Sequence, residues 1–409
     1  MNSSSDDGSS TVKPPPKVLL WSINGAGEHY TGPGSFMYRM YSLASKTDVS
    51  VSLAHGYPDQ TPEDLFAEQT YIGDWRGKFK FFKFLHQSKK FLQRNYHKHD
   101  VMHALNGFHT TVGPAGVAQR LGLPVVLFVT NHREEFVDKG GVRGLLGLPA
   151  KRRRIIRELS ALVSMSTDIY EELREYNVLR KNIARIPMGV NVERFSPCSV
   201  ERKAELRREL GITDRPTVLI AGAMVRRKRP LLVAQAIEEA NRTGTECQAY
   251  LVGPHDREPD YAEEIKSYIA DRNLTEFVKL VHFTPNIEQY HQASDLFILP
   301  SEQEGMPAAM VEAMACGVPP VGTAISGVND LIDDGVNGRI VEPTAESCAD
   351  AFKFYFNTPG RLAEHGKLCR DLVIQRYGAE AVLAAHLNLF HIILDGGDPC
   401  DASILPEME

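Results

Sequence analysis

Short apolar runs alternate with segments of helical spacing along nearly the whole chain. The first run, 17–23 (KVLLWSI), follows three prolines and leads into a glycine-rich loop and a helical pattern that Ser35 opens as its cap. A short, fully apolar run indicates a strand that is buried on both faces, and a glycine loop between strand and helix is typical of βαβ units. The alternation therefore predicts an α/β fold, in which helices cover both faces of parallel sheets.

A segment with two prolines, a glycine and no regular spacing, 186–197, interrupts this alternation, which then restarts. The interruption predicts two doubly wound domains joined by a linker, one over 17–187 and one over 188–377. The last helical pattern, within 378–396, is expected to return to the first domain and to be followed by a loose acidic tail. Residues 1–16 are rich in Ser, Asp and Pro and are predicted to be a disordered tail.

The predicted strands are 17–23, 49–53, 101–104, 125–129, 161–165, 217–221, 249–252, 278–280, 296–299 and 319–321. The predicted helices include 79–97, 113–121, 168–176, 230–240, 261–270, 308–315 and 379–394.

Composition and charge narrow the class of protein. The 409 residues carry a formal net charge of -6, which argues against nucleic-acid binding by bulk electrostatics. The six cysteines lack the close spacing of a zinc site or a redox dithiol, so reduced thiols are expected. No apolar run is long enough to span a bilayer, and the N-terminus lacks the apolar core of a signal peptide. These features predict a cytoplasmic protein.

The segment after the predicted strand 296–299 carries two glutamates near the start of a helix. Glu304 lies in the turn, and the helix is expected from about Pro307, a residue that suits the first helical position. The free N–H groups of a first helical turn bind anions or hydroxyl oxygens. Glu312 lies roughly 10 Å farther along if the intervening residues are helical. Two carboxylates so placed suit a ligand rich in hydroxyl groups, because carboxylates present only acceptors. Alternatively, both glutamates are solvated or cap the helix.

The stretch EGMPAAMVEAMACGVPP, which begins at Glu304, resembles the motif of the retaining glycosyltransferases of family 4. That motif reads E-G-[FM]-[GP]-x-x-x-x-E-A-M-A-x-G-x-P-V, with seven residues between its two glutamates. Similarity extends from about Val18 to Tyr377, since IPMGVNVERFSP resembles the family's inter-domain segment and LIAGAMVRRKRP its first strand and loop of the second domain. The resemblance implies the GT-B fold, in which two Rossmann-like domains face each other across a cleft. The matching positions are Glu304, Gly305, Met306, Pro307, Glu312, Ala313, Met314, Ala315, Gly317 and Pro319.

The resemblance implies that Lys228 contacts the diphosphate of a nucleotide-sugar donor. The family also places an arginine directly after a strand-end glycine, and this chain has Ala223 there. Arg226 or Arg227 is expected to take over that contact, because a guanidinium group suits phosphate. The alternative is that these arginines form a solvated basic turn.

Further roles follow from the resemblance by position. The backbone amides around Gly305, Met306 and Pro307 are expected to hold the hydroxyls of the donor sugar. Glu304 is expected to accept from the sugar, and Glu312 from the ribose. Gly34 lies where the family has a pair of glycines before its first helix. It is expected to let the loop of the first domain approach the donor phosphate, because it has no Cβ.

The first domain departs from the family pattern at one histidine. Many family members have a histidine at the position of Leu105. Asn106 and His109 follow closely, and His109 is the candidate for a group near the reacting carbon, with a structural role as its alternative. His132, in the sequence TNH, matches another family histidine at a strand end.

The resemblance implies that the sugar of a UDP- or GDP-sugar moves to an acceptor hydroxyl with retention of configuration. The acceptor is a lipid-linked, glycan or small molecule. No cofactor is expected besides the donor, and no metal, because no D-x-D pattern stands at a strand end. Cationic side chains and the helix dipole would stabilise the leaving diphosphate instead. The missing arginine and histidine leave open a non-catalytic sugar-nucleotide-binding subunit. An epimerase or glycosyl phosphorylase of the same fold is a third interpretation.

A basic segment of the first domain, 76–99, interleaves Lys, Arg and His with five phenylalanines. Helices of this kind lie on anionic membrane surfaces, so peripheral contact with the inner face of a membrane is one interpretation. The alternative, favoured by the helical spacing, is an amphipathic helix whose phenylalanines face the domain core.

Overall fold

Seven parallel strands form the first sheet of the computed structural model, which describes residues 15–27, 33–44, 49–130 and 148–405. They are β1 Val18–Ser22, β2 Val51–His55, β3 Glu68–Tyr71, β4 Val101–Leu105, β5 Val125–Val129, β6 Ala161–Ser164 and β7 Ile183–Arg185. Their order in the sheet is β3-β2-β1-β4-β5-β6-β7, so the chain reverses its direction of winding between β1 and β4.

The second sheet has six parallel strands within the same described residues, in the order β10-β9-β8-β11-β12-β13. They are β8 Thr217–Ala221, β9 Gln248–Val252, β10 Val278–Val281, β11 Leu296–Leu299, β12 Pro320–Thr323 and β13 Arg339–Val341. The predicted α/β fold of two doubly wound parallel sheets is confirmed.

Helices connect the strands and cover both sheets. They are α1 Pro33–Ala44, α2 Lys78–Asn95, α3 His109–Arg120, α4 Leu148–Glu158, α5 Thr167–Glu175, α6 Val200–Leu210, α7 Pro230–Arg242, α8 Pro259–Asp271, α9 Ile287–Ala293, α10 Ala308–Ala315, α11 Ala345–Phe356, α12 Arg361–Arg376 and α13 Ala379–Leu394. The predicted cap Ser35 is wrong, because the helix begins at Pro33 and Ser35 is a buried residue inside it. Three short strands, β3, β7 and β13, escaped prediction because they are polar or only a few residues long.

Strand β8 shows how the second sheet is buried on both faces. Val218 and Ile220 belong to the apolar cluster that α7, α8 and α11 cover. Leu219 and Ala221 belong to the opposite cluster, which α10 and α12 cover. Successive side chains of a strand point to opposite faces, so a fully apolar strand fills two cores at once.

One half of the molecule contains the first sheet and the other half contains the second sheet. The chain crosses between these halves at two segments that hydrogen-bond to each other. The amide of Val190 donates to the carbonyl of Tyr377 at 2.8 Å, and the amide of Ala379 donates to the carbonyl of Val190 at 2.8 Å. After this crossing, α13 packs on the first sheet, where Leu389 and Phe390 are fully buried. The two crossings therefore form one small parallel bridge between the halves.

The segment after α13 is not a loose tail as far as residue 405. The amides of Ile404 and Leu405 donate to the carbonyl of Arg185 at 3.1 and 3.2 Å, so the segment runs beside the edge strand β7. Leu405 then lies in the apolar core of the second half. The expectation of a loose tail rested on its acidic composition, and backbone pairing with an open sheet edge overrides that composition.

Candidate functional site

The loops after β8 and β11 meet at the carboxyl edge of the second sheet, because these parallel strands are neighbours. The loop after β8 contains a short 3-10 turn, Arg226–Lys228. The amide of Glu302, in the loop after β11, donates to the carbonyl of Arg227 at 2.8 Å. The backbone thus fixes the two loops to each other at the edge where open α/β sheets bind ligands.

The carboxylate of Glu304 lies among three donors. Its Oε1 accepts from Lys228 Nζ at 3.0 Å and from the Ser301 hydroxyl at 3.0 Å, and it lies 3.1 Å from Arg227 Nη1. The Glu304 side chain is only 10% exposed, and that of Lys228 17%. Ion pairs that are shielded from solvent are screened less by salt than exposed ones. The structure therefore brings three of the predicted site residues together in one cluster, the Glu304 cluster of Arg227, Lys228, Ser301 and Glu304.

The two arginines that the sequence offers near Lys228 point in different directions. Arg226 pairs with Glu264 at 2.8 Å and its guanidinium lies 4.5 Å from the ring centroid of Tyr261, on α8. Arg227 reaches Glu304 and also donates to the carbonyl of Gln303. Of the two candidates, Arg227 is the one that lies in the cluster.

Glu312 lies on α10, the helix that follows the Glu304 loop. Its carboxylate Oε2 is 3.8 Å from Nε2 of His291, a fully buried imidazole on α9. The side chain of Glu312 is 19% exposed. His291 could not be found from the sequence, because a histidine in the short mixed run IEQYHQA carries no distinguishing pattern.

Helix α10 has the predicted range, Ala308–Ala315, but Pro307 is its N-cap residue and not its first helical residue. Pro307 precedes the first helical residue, Ala308, and no side chain caps this helix. Proline has no N–H, so Pro307 offers no backbone donor, and the available amides belong to Gly305, Met306 and the first helical turn. The Met306 side chain packs against the apolar clusters of both halves, and its Sδ lies 3.3 Å from the donor amide of Met188.

Gly34 and His109 belong to the first sheet's half. A Cβ at Gly34 would lie 2.4 Å from the carbonyl oxygen of Gly25, so glycine is required there by packing within its own half. His109 is the first residue of α3 and is partly buried. Leu105, at the end of β4, is buried. His132 lies outside the described residues.

A buried histidine pair in the first half was also missed. The ring centroids of His103, on β4, and His386, on α13, are 5.0 Å apart. The Tyr41 hydroxyl is 2.7 Å from His103 Nδ1. Burial holds the pKa of His103 well below its usual range, and it lowers the pKa of His386 to about 3. Both rings are therefore neutral parts of the core.

Two family descriptions match most of this architecture. "Glycosyltransferase Family 4" matches residues 34–194, and "Glycosyl transferases group 1" matches residues 202–371. The chain belongs to the family 4 glycosyltransferases. The junction between the two matched regions lies just after the crossing at Val190, so each description covers one half of this glycosyltransferase.

Characterised relatives are distant. The chain is 28% identical to an alpha-D-kanosaminyltransferase of Streptomyces kanamyceticus over 52% of its own length and 56% of that protein's. It is 27% identical to a D-inositol 3-phosphate glycosyltransferase of Xylanimonas cellulosilytica over 71% of this glycosyltransferase and 72% of that protein. Among solved structures, Anabaena HepE in complex with UDP and glucose superposes with a TM-score of 0.71 at 18% identity, covering 92% of this chain and 99% of HepE. The match to HepE establishes the shared fold.

Proposed function

We propose that this chain is a retaining hexosyltransferase that moves a sugar from a nucleoside diphosphate sugar to an acceptor hydroxyl. The observation that carries the proposal is the Glu304 cluster, in which Arg227 and Lys228 stand at the sheet edge beside the uncapped start of α10. Two adjacent cations and free helix amides suit a diphosphate. The nucleotide-sugar donor is further supported by HepE, whose structure contains UDP and glucose.

Donor binding would rearrange the charges of the cluster. Without ligand, the Glu304 carboxylate partly neutralises the positive charges of Arg227 and Lys228. Diphosphate oxygens would replace it on these cations, and the carboxylate would then accept from the hydroxyls of the sugar. Because the cations already stand in place, they stabilise charge on the leaving diphosphate without reorganisation during the reaction.

The remaining roles divide between the halves. We assign donor binding to residues 188–377, with the amides of Gly305 and Met306 on the sugar and Glu312 on the ribose. Gly34 would approach the donor phosphate from the other half, 17–187, and His109 would lie near the reacting carbon. The diphosphate is held by side chains and helix amides, so no metal and no cofactor besides the donor is required, and activity in excess chelator is the check.

A panel of nucleotides tests the proposal. UDP, GDP, UDP-glucose, UDP-galactose and GDP-mannose are added to the whole chain in thermal-shift and turnover assays. A ligand that binds only the folded state raises the melting temperature, and turnover releases the nucleoside diphosphate. Glu312→Ala is expected to weaken the matching nucleotide by about tenfold or more, because a ribose hydroxyl loses a charged acceptor.

The alternative of a non-catalytic sugar-nucleotide binder predicts a different result from the same panel. Binding with no turnover of any donor, in the presence of lipid-linked, glycan and small-molecule acceptors, would favour it. An epimerase would interconvert the sugar while it remains on the nucleotide. A phosphorylase would require inorganic phosphate. These products are distinguished by anion-exchange chromatography.

We also propose that α2 contacts an anionic membrane surface, where a lipid-linked acceptor would be met. Phe84 of this helix is buried, as the core interpretation requires, but Phe79 is 92% exposed and Phe82 69% exposed. Exposed lysines surround them, and the helix contains no acidic residue. No described helix is long and apolar enough to cross a membrane. An amphipathic basic helix with exposed aromatic residues binds in the plane of the interface.

Vesicle flotation tests the membrane contact. Binding is expected to vesicles that contain phosphatidylserine, and it should fall with added salt because the attraction to the surface is screened. Phe79→Ser with Phe82→Ser should reduce binding, since two exposed aromatic anchors are lost. Equal binding to neutral and anionic vesicles, or none to either, would exclude this contact.

A further inference from the structure

A loop of the second half, residues 324–330, reaches the start of a helix in the first half. The Asp330 carboxylate accepts from the backbone amide of Thr167 at 2.8 Å through Oδ2 and from the Thr167 hydroxyl through Oδ1. Thr167 is the first residue of α5. A carboxylate that accepts from the first amides of a helix caps it and complements its dipole. The second half therefore supplies the cap of a helix that belongs to the first.

The local sequence around α5 shows that this cap replaces an ordinary one. Ser166 occupies the N-cap position, where a serine usually accepts from its own helix, but its side chain makes no such bond. Its hydroxyl lies instead 3.3 Å from the hydroxyl of Ser326, in the loop of the second half. Both serines are buried. Two neighbouring residues of the first half thus direct their polar groups across the boundary.

Arg185 adds a positive charge behind this contact. It is buried, and its Nη2 donates to the Thr167 hydroxyl oxygen at 3.0 Å. Burial lowers the pKa of Arg185, and the negative charge of Asp330 acts in the opposite direction. The Tyr377 hydroxyl donates to the Asp330 carbonyl at 3.4 Å, which links the loop to the segment where the chain crosses between the halves.

The same loop packs directly on the backbone that follows Glu304. Gly327 has a φ of +74°, and a Cβ there would lie 2.6 Å from the Gly305 carbonyl oxygen and 3.1 Å from the Met306 Cα. Only a residue without a side chain allows this approach. The loop therefore contacts the proposed sugar-binding backbone at Gly327 and the first half at Asp330.

We propose that Asp330 is a positioning residue for the transfer reaction. Its carboxylate, bound to the start of α5, holds the first half in the orientation in which its loops face the donor. Because Gly327 packs on the Gly305–Met306 backbone, a movement of that backbone on donor binding would be transmitted to the contact between Asp330 and α5. The inference rests on the proposed function for its catalytic consequence, whereas the contact between the halves stands on the geometry alone.

The test compares Asp330→Ala and Asp330→Asn with wild type, using the whole chain. Asp333→Ala is the matched control, because Asp333 is an exposed aspartate of the following turn. Small-angle scattering, with UDP or GDP chosen by the panel, should give a larger radius of gyration for Asp330→Ala than for wild type and the control. Nucleotide affinity should stay within about threefold of wild type, while kcat for the donor falls by about tenfold or more. Asp330→Asn keeps one acceptor oxygen and should recover part of both properties.

Two results would overturn the proposal. One is a radius of gyration and kcat of Asp330→Ala that equal those of wild type. The other is a loss of nucleotide affinity as large as the loss of kcat, since it would make Asp330 part of the donor site. If wild type turns over no donor, the proposed function fails, and scattering still decides the role of Asp330. Should Asp330→Ala fail to fold, Thr167→Val is measured in the same way, since it removes the hydroxyl that donates to Asp330 and accepts from Arg185.

Discussion

The two halves of the molecule differ in how they accommodate ionisable side chains. At the carboxyl edge of the second sheet, Arg227 and Lys228 pair with Glu304 in the loops that follow β8 and β11. In the first half, β4 carries His103, whose ring is packed against His386 and held neutral by burial. Burying a charge without a partner is costly, so a neutral imidazole is the form that a core accepts. The second half thus presents paired charges at the edge of its sheet, whereas the core of the first half contains neutral imidazoles.

The largest effect is expected from removing the charges of the second edge. Arg227→Ala with Lys228→Ala should lower kcat by about a thousandfold or more, because each lost donor to a developing negative charge costs about 2–4 kcal/mol. Steady-state turnover of the donor selected by the panel measures it. Arg226→Ala is the matched control, since Arg226 pairs with Glu264 away from the cluster. Equal losses in both variants would mean that the whole basic turn acts by bulk charge, and the comparison of the two halves would lose its basis.

The neutral core of the first half is expected to give a smaller effect that depends on pH. The pKa of His386 in the folded chain is about 3, below the 6.5 of an unfolded histidine. Between these two pH values the unfolded chain therefore binds more protons than the folded chain. Stability is then fully present above pH 6.5 and is lost as the pH falls toward 3, by about 1.4 kcal/mol per pH unit for each buried histidine.

Urea unfolding at pH 5.0 and pH 7.5 tests the direction of this pH dependence of stability. His386→Leu should reduce the loss of stability between the two values by about 2 kcal/mol relative to wild type. His86→Gln, at an exposed position of α2, is the control and should leave the loss unchanged. The same pH dependence in wild type and His386→Leu would show that this ring does not remain neutral in the fold.

The smallest effect concerns Glu304 itself, because it competes with a diphosphate for the same cations. Glu304→Gln should bind UDP or GDP a few-fold more tightly than wild type, in line with the modest strength of partly exposed ion pairs, and yet turn over the donor more slowly. Calorimetry and turnover measure the two changes. Glu302→Gln is the control, because Glu302 pairs with Arg229 at 3.2 Å and not with the cations of the cluster. Weaker nucleotide binding by Glu304→Gln would contradict the competition.

The sheets and the charged cluster can be predicted from the sequence, but the contacts between the halves cannot. Strands β8 and β11 are apolar apart from Thr217, and the turn with Glu304 follows β11 directly, so local patterns suffice there. The choice between Arg226 and Arg227 requires side-chain directions, because both stand in the same basic run. Residues such as Asp330 and Thr167 are ordinary loop and helix-start residues in the sequence. Their significance arises only when two distant segments are brought together.

His103 and His386 make the same point for the core. Each stands in an apolar run, and nothing in either run tells which element it faces. The roles of Glu304, Glu312, Gly34 and His109 toward a donor remain predictions from family resemblance.

The path of the chain between the halves has a consequence for biosynthesis. The strands of the first sheet are synthesised before the second half, but the core of the first half includes Val382, Leu389 and Phe390, which follow the second half in the chain. The second half, in contrast, forms its two cores almost entirely from one uninterrupted stretch of chain. Domains commonly fold in the order of synthesis. Here the half whose strands are synthesised first can complete its core only after the second half has been synthesised, and part of its apolar surface stays uncovered until α13 arrives.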